Sequence, residues 1–199
     1  VTVLEPLCGG HPLWPRVHQY LTHGTECPLL PISEVDRLRD LRLMLRRGNY
    51  QSAIRAEPRI VEILQDEVKH MWQLPLPPSA VTQLPGLVVA PVGLADQSSI
   101  NERGEIIPKQ RLTHDQSFNV VPGTRRSVND RVCFEAPTPC RYGHALLRFI
   151  HVILALRARH PNEPILTTKV DLKAAYQRLH LTATMAVQAC VLVDNLLLI

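Results

Sequence analysis

Proline decides where this chain cannot be helical, and there are 17 of them in 199 residues. Each removes a backbone donor and fixes its own φ, so helices and central strands have to fit between them. The densest run, Leu74-Pro75-Leu76-Pro77-Pro78, forbids helix and reads as an extended connector. His160-Pro161-Asn162-Glu163-Pro164 sharply ends whatever precedes it. The first 32 residues combine Pro, Gly and His without a clean period, and the expectation there is mostly loop.

Between these breaks the hydrophobic period is helical in three places. Ser33 offers an N-cap, Glu34 and Asp36 favour a first turn, and Gly48-Asn49 closes the segment. Val35, Leu38, Leu41 and Leu45 mark its expected buried face. Arg42, Arg46 and Arg47 suit the C-terminal end of the dipole, so a solvated, well-capped helix outweighs contact with nucleic acid. A second helix is expected over 58–73, with Pro58 in its first turn and Ile60, Ile63, Leu64, Val68, Met71 and Trp72 recurring at helical spacing. Trp72 reads as core rather than as a platform for bases. The third helix, over 142–159, is apolar nearly all round and is expected to be buried.

From Gly86 the character turns β-like. Residues 87–94 and 105–113 pair as a hairpin around a wide turn at 101–104, and the polar stretch 119–130 follows. Residues 165–170 read as a strand delivering Asp171, then a helical turn over 172–178. Residues 185–193 and 196–199 read as closing strands joined at Asp194-Asn195. The expectation is an α/β (α+β) chain in two parts: a helical and Pro-rich leader over 1–85, and a second region over 86–199.

Charge and cysteine content narrow the function classes. The net charge of +4 is uneven: residues 1–102 carry 9 Lys/Arg against 11 Asp/Glu, and residues 103–199 carry 13 against 7. A basic second half suits a polyanionic partner. Five cysteines without framework spacing, and no secretory signal, fit reduced thiols in the cytoplasm or nucleus. No membrane partner is expected, because the longest apolar stretch, 145–156, is short and holds Arg148 and His151. Cys8, His11, His23 and Cys27 could ligate zinc, although their spacing matches no finger and a packed irregular arm is the stronger reading. Cys133 and Cys140 read as buried thiols, and His114 and His180 have no catalytic role. The chain opens at Val1 and stops at Ile199 within an apolar run, so it reads as a fragment of something longer.

The chemistry concentrates in Thr168-Lys169-Val170-Asp171-Leu172-Lys173-Ala174-Ala175-Tyr176. A strand ending in a carboxylate presents it at a sheet edge, where hard oxygen ligands can hold a divalent metal for phosphoryl transfer. Leu172 could add a backbone carbonyl. Ala174 and Ala175 are small enough for backbone to approach a substrate. Tyr176, five positions after Asp171, would lie beside the sugar of a nucleotide and exclude a 2′-hydroxyl. This set resembles motif A of reverse transcriptases.

A second match precedes it by about 60 residues: Lys109-Gln110-Arg111-Leu112-Thr113-His114-Asp115-Gln116-Ser117-Phe118, with Ser127-Val128-Asn129-Asp130 behind it. It is similar to the fingers hairpin of reverse transcriptases, in which an arginine stands four residues before an aspartate. The resemblance implies that Arg111 lies over a nucleotide triphosphate, with Lys109 or Arg103 as a further cation, and that the Asp115 and Ser127 elements orient loops. It assigns nucleotide contacts to Arg111, Lys109, Leu172, Lys173, Ala174, Ala175 and Tyr176, and the metal to Asp171, the catalytic residue, with Leu172. It covers residues 86–199. The leader, with its Gly48-Asn49-Tyr50-Gln51-Ser52-Ala53 run, resembles that of some retrotransposon polymerases, DIRS-like elements among them.

The resemblance therefore implies a partial right-hand polymerase: an irregular and helical leader, a fingers hairpin, a buried helix and the first strands of a palm sheet. The complete enzyme would use two Mg2+ ions, an RNA or DNA template with primer, and deoxynucleoside triphosphates. The family's Tyr-x-Asp-Asp element does not occur in the 199 residues, so the expectation is that this polypeptide is inactive alone. Two other classes stand beside this one. One is a non-enzymatic nucleic-acid-binding remnant of a retroelement. The other is a nuclease of the ribonuclease H type, disfavoured because residues 165–199 offer only Asp171 and Asp194.

Overall fold

The computed structural model describes residues 1–101, 103–133, 144–168 and 179–199, a mixture of helices and small antiparallel sheets. The first 32 residues depart from the loop expectation. They hold α1 (Glu5–Cys8) and α2 (Trp14–His23), each with a proline in its first turn, where the missing N–H has no helical partner to lose. Trp14 packs inward at 7% exposure. Proline density argued for loop here; proline position decides for helix.

Helix α3 (Glu34–Arg47) begins as expected, with Ser33 Oγ accepting from the Asp36 N–H at 3.1 Å. It ends at Gly48, whose φ of +71° favours a residue without Cβ. Its buried face is Arg37, Leu41 and Met44, whereas Val35 is 79% exposed and Leu45 lies outside the core. Two polar attachments set that rotation. Arg37 Nη1 donates to the Leu87 carbonyl at 2.7 Å, and Arg126 grips Asp40 through two bonds of 2.7 and 2.8 Å and Asp36 through one of 2.9 Å.

A short helix that was not expected, α4 (Gln51–Arg55), precedes the expected second helix, which forms as α5 (Glu57–Lys69) and buries Ile60 and Leu64. It stops before Met71, which has φ +58° and is 82% exposed. Trp72 is half-buried and stacks on His70 with centroids 4.6 Å apart. The proline connector is extended as expected: β1 (Pro75–Leu76) leads to the short α6 (Ala80–Gln83).

The hairpin forms with shifted bounds, β2 (Val92–Ile100) and β3 (Ile106–His114). The expected strand residues 87–90 are core segment instead; Leu87, Val89 and Ala90 are buried, and the Ala90 N–H donates to the Cys190 carbonyl at 2.9 Å. At the end of the chain only residues 191–193 of the expected 185–193 strand are extended. The short α8 (Ala183–Ala186) precedes β4 (Val191–Val193) and β5 (Leu196–Leu198), joined at Asp194 and Asn195, both at positive φ as a tight two-residue hairpin turn requires.

The second sheet has the order β1-β5-β4, antiparallel throughout, and is covered on both faces. Leu197 and Cys190 join Leu41, Met44, Ala80, Val81, Leu87 and Val89 on one side. Leu198, Val191 and Val193 join Ala53, Ile60, Leu64 and Val92 on the other. Burial on both faces accounts for the unbroken apolar run 196–199. Both cores combine leader residues with residues beyond Gly86.

Two further expectations are corrected. Helix α7 (Ala145–Arg159) exists, but none of its residues is buried; Leu146 is 71% and Leu154 60% exposed. An all-round apolar surface states a demand for partners, and no described element covers this one. Residues 165–168 are not strand. The rest of that expected strand, 169–170, and the helical turn over 172–178 lie outside the described residues. Among the described residues no helix is long and apolar enough to cross a membrane.

Candidate nucleotide-contacting hairpin

In β2 and β3 side chains alternate between the two faces. Leu94 and Leu112, directly opposite each other, pack against the cluster around Ile60 and Val92. Arg111 pairs with Ala95 and Lys109 with Gln97, so both cations stand on the other face, two residues apart and exposed. Among the described residues neither makes a salt bridge. A cation kept free of carboxylates retains its full field for an anionic ligand. The hairpin tip is closed by Asn101, whose Oδ1 accepts from the Arg103 and Glu105 N–H groups at 3.0 and 2.9 Å, and by Gly104 at φ +79°.

The base of this face is built from the segment that follows α3. Gly93, cross-strand from Thr113, lies under Tyr50: a Cβ on Gly93 would come within 3.0 Å of Thr113 Oγ1 and 3.4 Å of the Tyr50 ring. The Tyr50 hydroxyl donates to Asp115 Oδ2 at 2.5 Å, and the Tyr50 N–H donates to the Val92 carbonyl at 3.0 Å. Burial first, and then the Asp115 carboxylate, hold the Tyr50 pKa above its ordinary value. Asn49 bridges the two sheets. Its Oδ1 accepts from the Val92 N–H at 3.0 Å and its Nδ2 donates to the Leu192 carbonyl at 2.8 Å. Ser52 Oγ accepts from the Leu94 N–H at 3.2 Å. The Arg47 guanidinium lies over the rings of Phe118, at 4.2 Å, and Tyr50, at 4.7 Å.

Arg111 and Asp115, four residues apart, therefore do separate things. No bond joins them. Asp115 is structural: besides Tyr50 it accepts the Ser117 N–H on Oδ1 at 3.1 Å, and its own N–H donates to the Pro91 carbonyl at 3.0 Å. The two elements behind it are hydrogen-bonded to each other. Asn129 Nδ2 donates to Ser117 Oγ at 2.7 Å, and Asn119 Oδ1 accepts the N–H groups of Arg126 and Ser127 at 2.8 and 2.9 Å. Hydrogen bonds from Asn119 and Ser127 hold the Asp130 carboxyl below its usual range. His114, half-buried at the end of β3, has its pKa lowered by desolvation.

The other expected site residues, Asp171, Leu172, Lys173, Ala174, Ala175 and Tyr176, lie outside the described residues, as does Cys140. Among the described residues no three His, Cys, Asp or Glu side chains converge as a metal site, the Cys8/His11/His23/Cys27 set included. Cys133 is half-buried. Tyr50 and Asn49 are the site-building residues that the sequence motifs did not single out by role. Their only signal was a polar and an aromatic residue directly after the glycine that ends α3. No protein-family model matches the chain, and no similar protein was found among curated proteins or solved structures.

Proposed function

We propose that the chain forms the fingers and the start of the palm of a retroelement reverse transcriptase, an RNA-directed DNA polymerase. On this reading Arg111 and Lys109 bind and orient the triphosphate of an incoming deoxynucleotide. The planar guanidinium fork matches two phosphate oxygens at once, and the ammonium adds a point charge. The observation that carries the reading is the hairpin itself: two unpaired cations share one exposed face of a strand whose base is pinned by Asp115, Tyr50 and Asn49. The sequence of residues 171–176 supplies the rest, with Asp171 and Leu172 as metal ligands and Tyr176 as the sugar-selecting ring. Bound Mg2+ would neutralise phosphate charge and activate the attacking hydroxyl.

Binding of a fluorescent deoxynucleoside triphosphate to the 199-residue chain tests this. Arg111→Ala and Lys109→Ala should each weaken binding about tenfold, a loss typical of one charge-assisted contact. Arg59→Ala, which breaks a surface pair with Glu62, should change nothing. Unchanged affinity in Arg111→Ala refutes the assignment. The chain alone should not extend a primer, since it holds no Tyr-x-Asp-Asp element. The same free cations favour a second reading, a non-enzymatic nucleic-acid-binding module. That reading requires oligonucleotide binding that falls in Arg111→Ala, with no affinity for the free triphosphate.

A further inference from the structure

The 3-10 turn Asn129–Arg131 sends one arginine back into the protein. Arg131 is only 5% exposed, and an arginine so buried ordinarily meets a carboxylate. Among the described residues Arg131 meets only neutral acceptors: Nη2 donates to Gln188 Oε1 at 2.7 Å and Nη1 reaches the Leu30 carbonyl at 3.4 Å. Its Nε finds no acceptor, and no salt bridge reaches the guanidinium among the described residues. Gln188 cannot swing away freely, because its Nε2 donates to the Gly86 carbonyl at 2.8 Å.

Arg131 and Gln188 stand on the wall of an open cavity of about 290 Å³. A second buried guanidinium, Arg37, lines the same cavity, but its Nε and Nη2 are taken by the Glu34 carboxylate and its Nη1 by the Leu87 carbonyl. The wall thus carries two cations and one carboxylate, and the unmatched charge belongs to Arg131. The space exceeds the roughly 30 Å³ share of a water molecule severalfold, so an oxyanion several atoms across fits. Burial also holds the Arg131 pKa below its ordinary value, as expected of a cation lacking its counterion.

We propose that this cavity is an oxyanion site, where a free phosphate or the carboxylate of a small organic acid completes the Arg131 guanidinium. The site shares no residue with the hairpin face and does not depend on the polymerase reading. The test is the thermal unfolding midpoint of the full 199-residue chain in phosphate-free buffer, with inorganic phosphate or acetate added and sodium chloride at matched ionic strength as control. The expected result is a saturable rise with phosphate, acetate or both, on the order of 5 °C or more at about a hundredfold excess over the dissociation constant. A response to phosphate alone assigns a phosphate ligand, and to acetate alone a carboxylate. Gln188→Glu places a carboxylate where Oε1 now touches Nη2. It should abolish the anion increment, whatever the loss of the Nε2 hydrogen bond to the Gly86 carbonyl does to the midpoint itself. No rise beyond chloride, or an increment that survives undiminished in Gln188→Glu, would each overturn the proposal.

Discussion

Replacing Tyr50 with Phe exchanges the hydroxyl at the base of the hairpin for a hydrogen and leaves everything else about the ring in place. The edge contact with Phe118, at 6.2 Å between centroids, the Arg47 guanidinium above the ring and the packing over Gly93 all survive. What is lost is the 2.5 Å hydrogen bond to Asp115. A hydrogen bond to a charged acceptor contributes about 1.5–3 kcal/mol where water is excluded. Tyr50 and Asp115 are both half-buried, so water can recover part of the loss and the expected cost is about 1 kcal/mol. For a chain of this size that is a fall of roughly 2–4 °C in Tm. Asp115→Ala should cost more, because Asp115 also accepts the Ser117 N–H. The two changes should not add: a double-mutant cycle by urea denaturation should return a coupling of about 1 kcal/mol between Tyr50 and Asp115. The pH dependence carries the same signature. The Tyr50 pKa is raised in the folded state, so its stabilising share is complete below the ordinary value of 10.0 and is lost as pH climbs through the folded value. That alkaline loss should shrink in Tyr50→Phe. A coupling below about 0.3 kcal/mol, within the error of such cycles, would refute the assignment of Asp115 as the anchor of the hairpin.

Other changes probe the frame around it. Arg126→Ala leaves Asp40, whose side chain is 19% exposed, without its two hydrogen bonds, and should cost about 2 kcal/mol, between the values for exposed and buried pairs, in urea unfolding. Burial lowers the His114 pKa, so below its ordinary value of 6.5 the unfolded chain takes up the proton first; stability present above 6.5 should fall as pH drops, and His114→Gln should flatten that acid limb of the urea midpoint. Burial pushes the Cys190 thiol up to about 12, so at pH 8 peptide mapping after alkylation should find Cys190 unmodified in the folded chain and modified in urea, while the half-buried Cys8, Cys27 and Cys133 react in both.

Local grammar was legible wherever one residue type decides the outcome. Ser33 and Gly48 bound α3, the proline run over 74–78 holds the extended β1, and the paired β segments form the hairpin, since caps, ring closure and period 2 act within a few residues. Rotation about an axis was not legible in the same way. The buried face of α3 is set by Arg37 and by the grip of Arg126 on Asp36 and Asp40, two contacts that lie about 50 and 90 residues away in sequence. Apolar content was read as burial for α7, yet Leu146 and Leu154 stand in solvent, because hydropathy records what a helix would gain from a partner and not whether one is there. Of the candidate site, Arg111 was singled out by its interval to Asp115 in the resemblance to a fingers hairpin, with Lys109 or Arg103 as a further cation. The anchors were not legible: Tyr50 reaches Asp115 across 65 residues, a contact no local pattern encodes.

The separation of free cations from pinned base has a mechanical consequence. A strand that contacts a polyanion has to leave its cations without internal partners, and exposed positions such as Lys109 and Arg111 allow this without a desolvation penalty. The same lack of partners means that these residues add nothing to the rigidity of the strand that carries them. Rigidity has to come from below. Asn49 supplies it by joining the Val92 amide to the Leu192 carbonyl, tying the hairpin to a sheet buried on both faces. Position and charge are thus assigned to different residues. On the proposed reading, a substitution at Asn49 or Tyr50 should therefore weaken triphosphate binding without removing any contact to the ligand, through looser placement of Arg111. A substitution at Arg111 should weaken binding and leave the unfolding midpoint where it is.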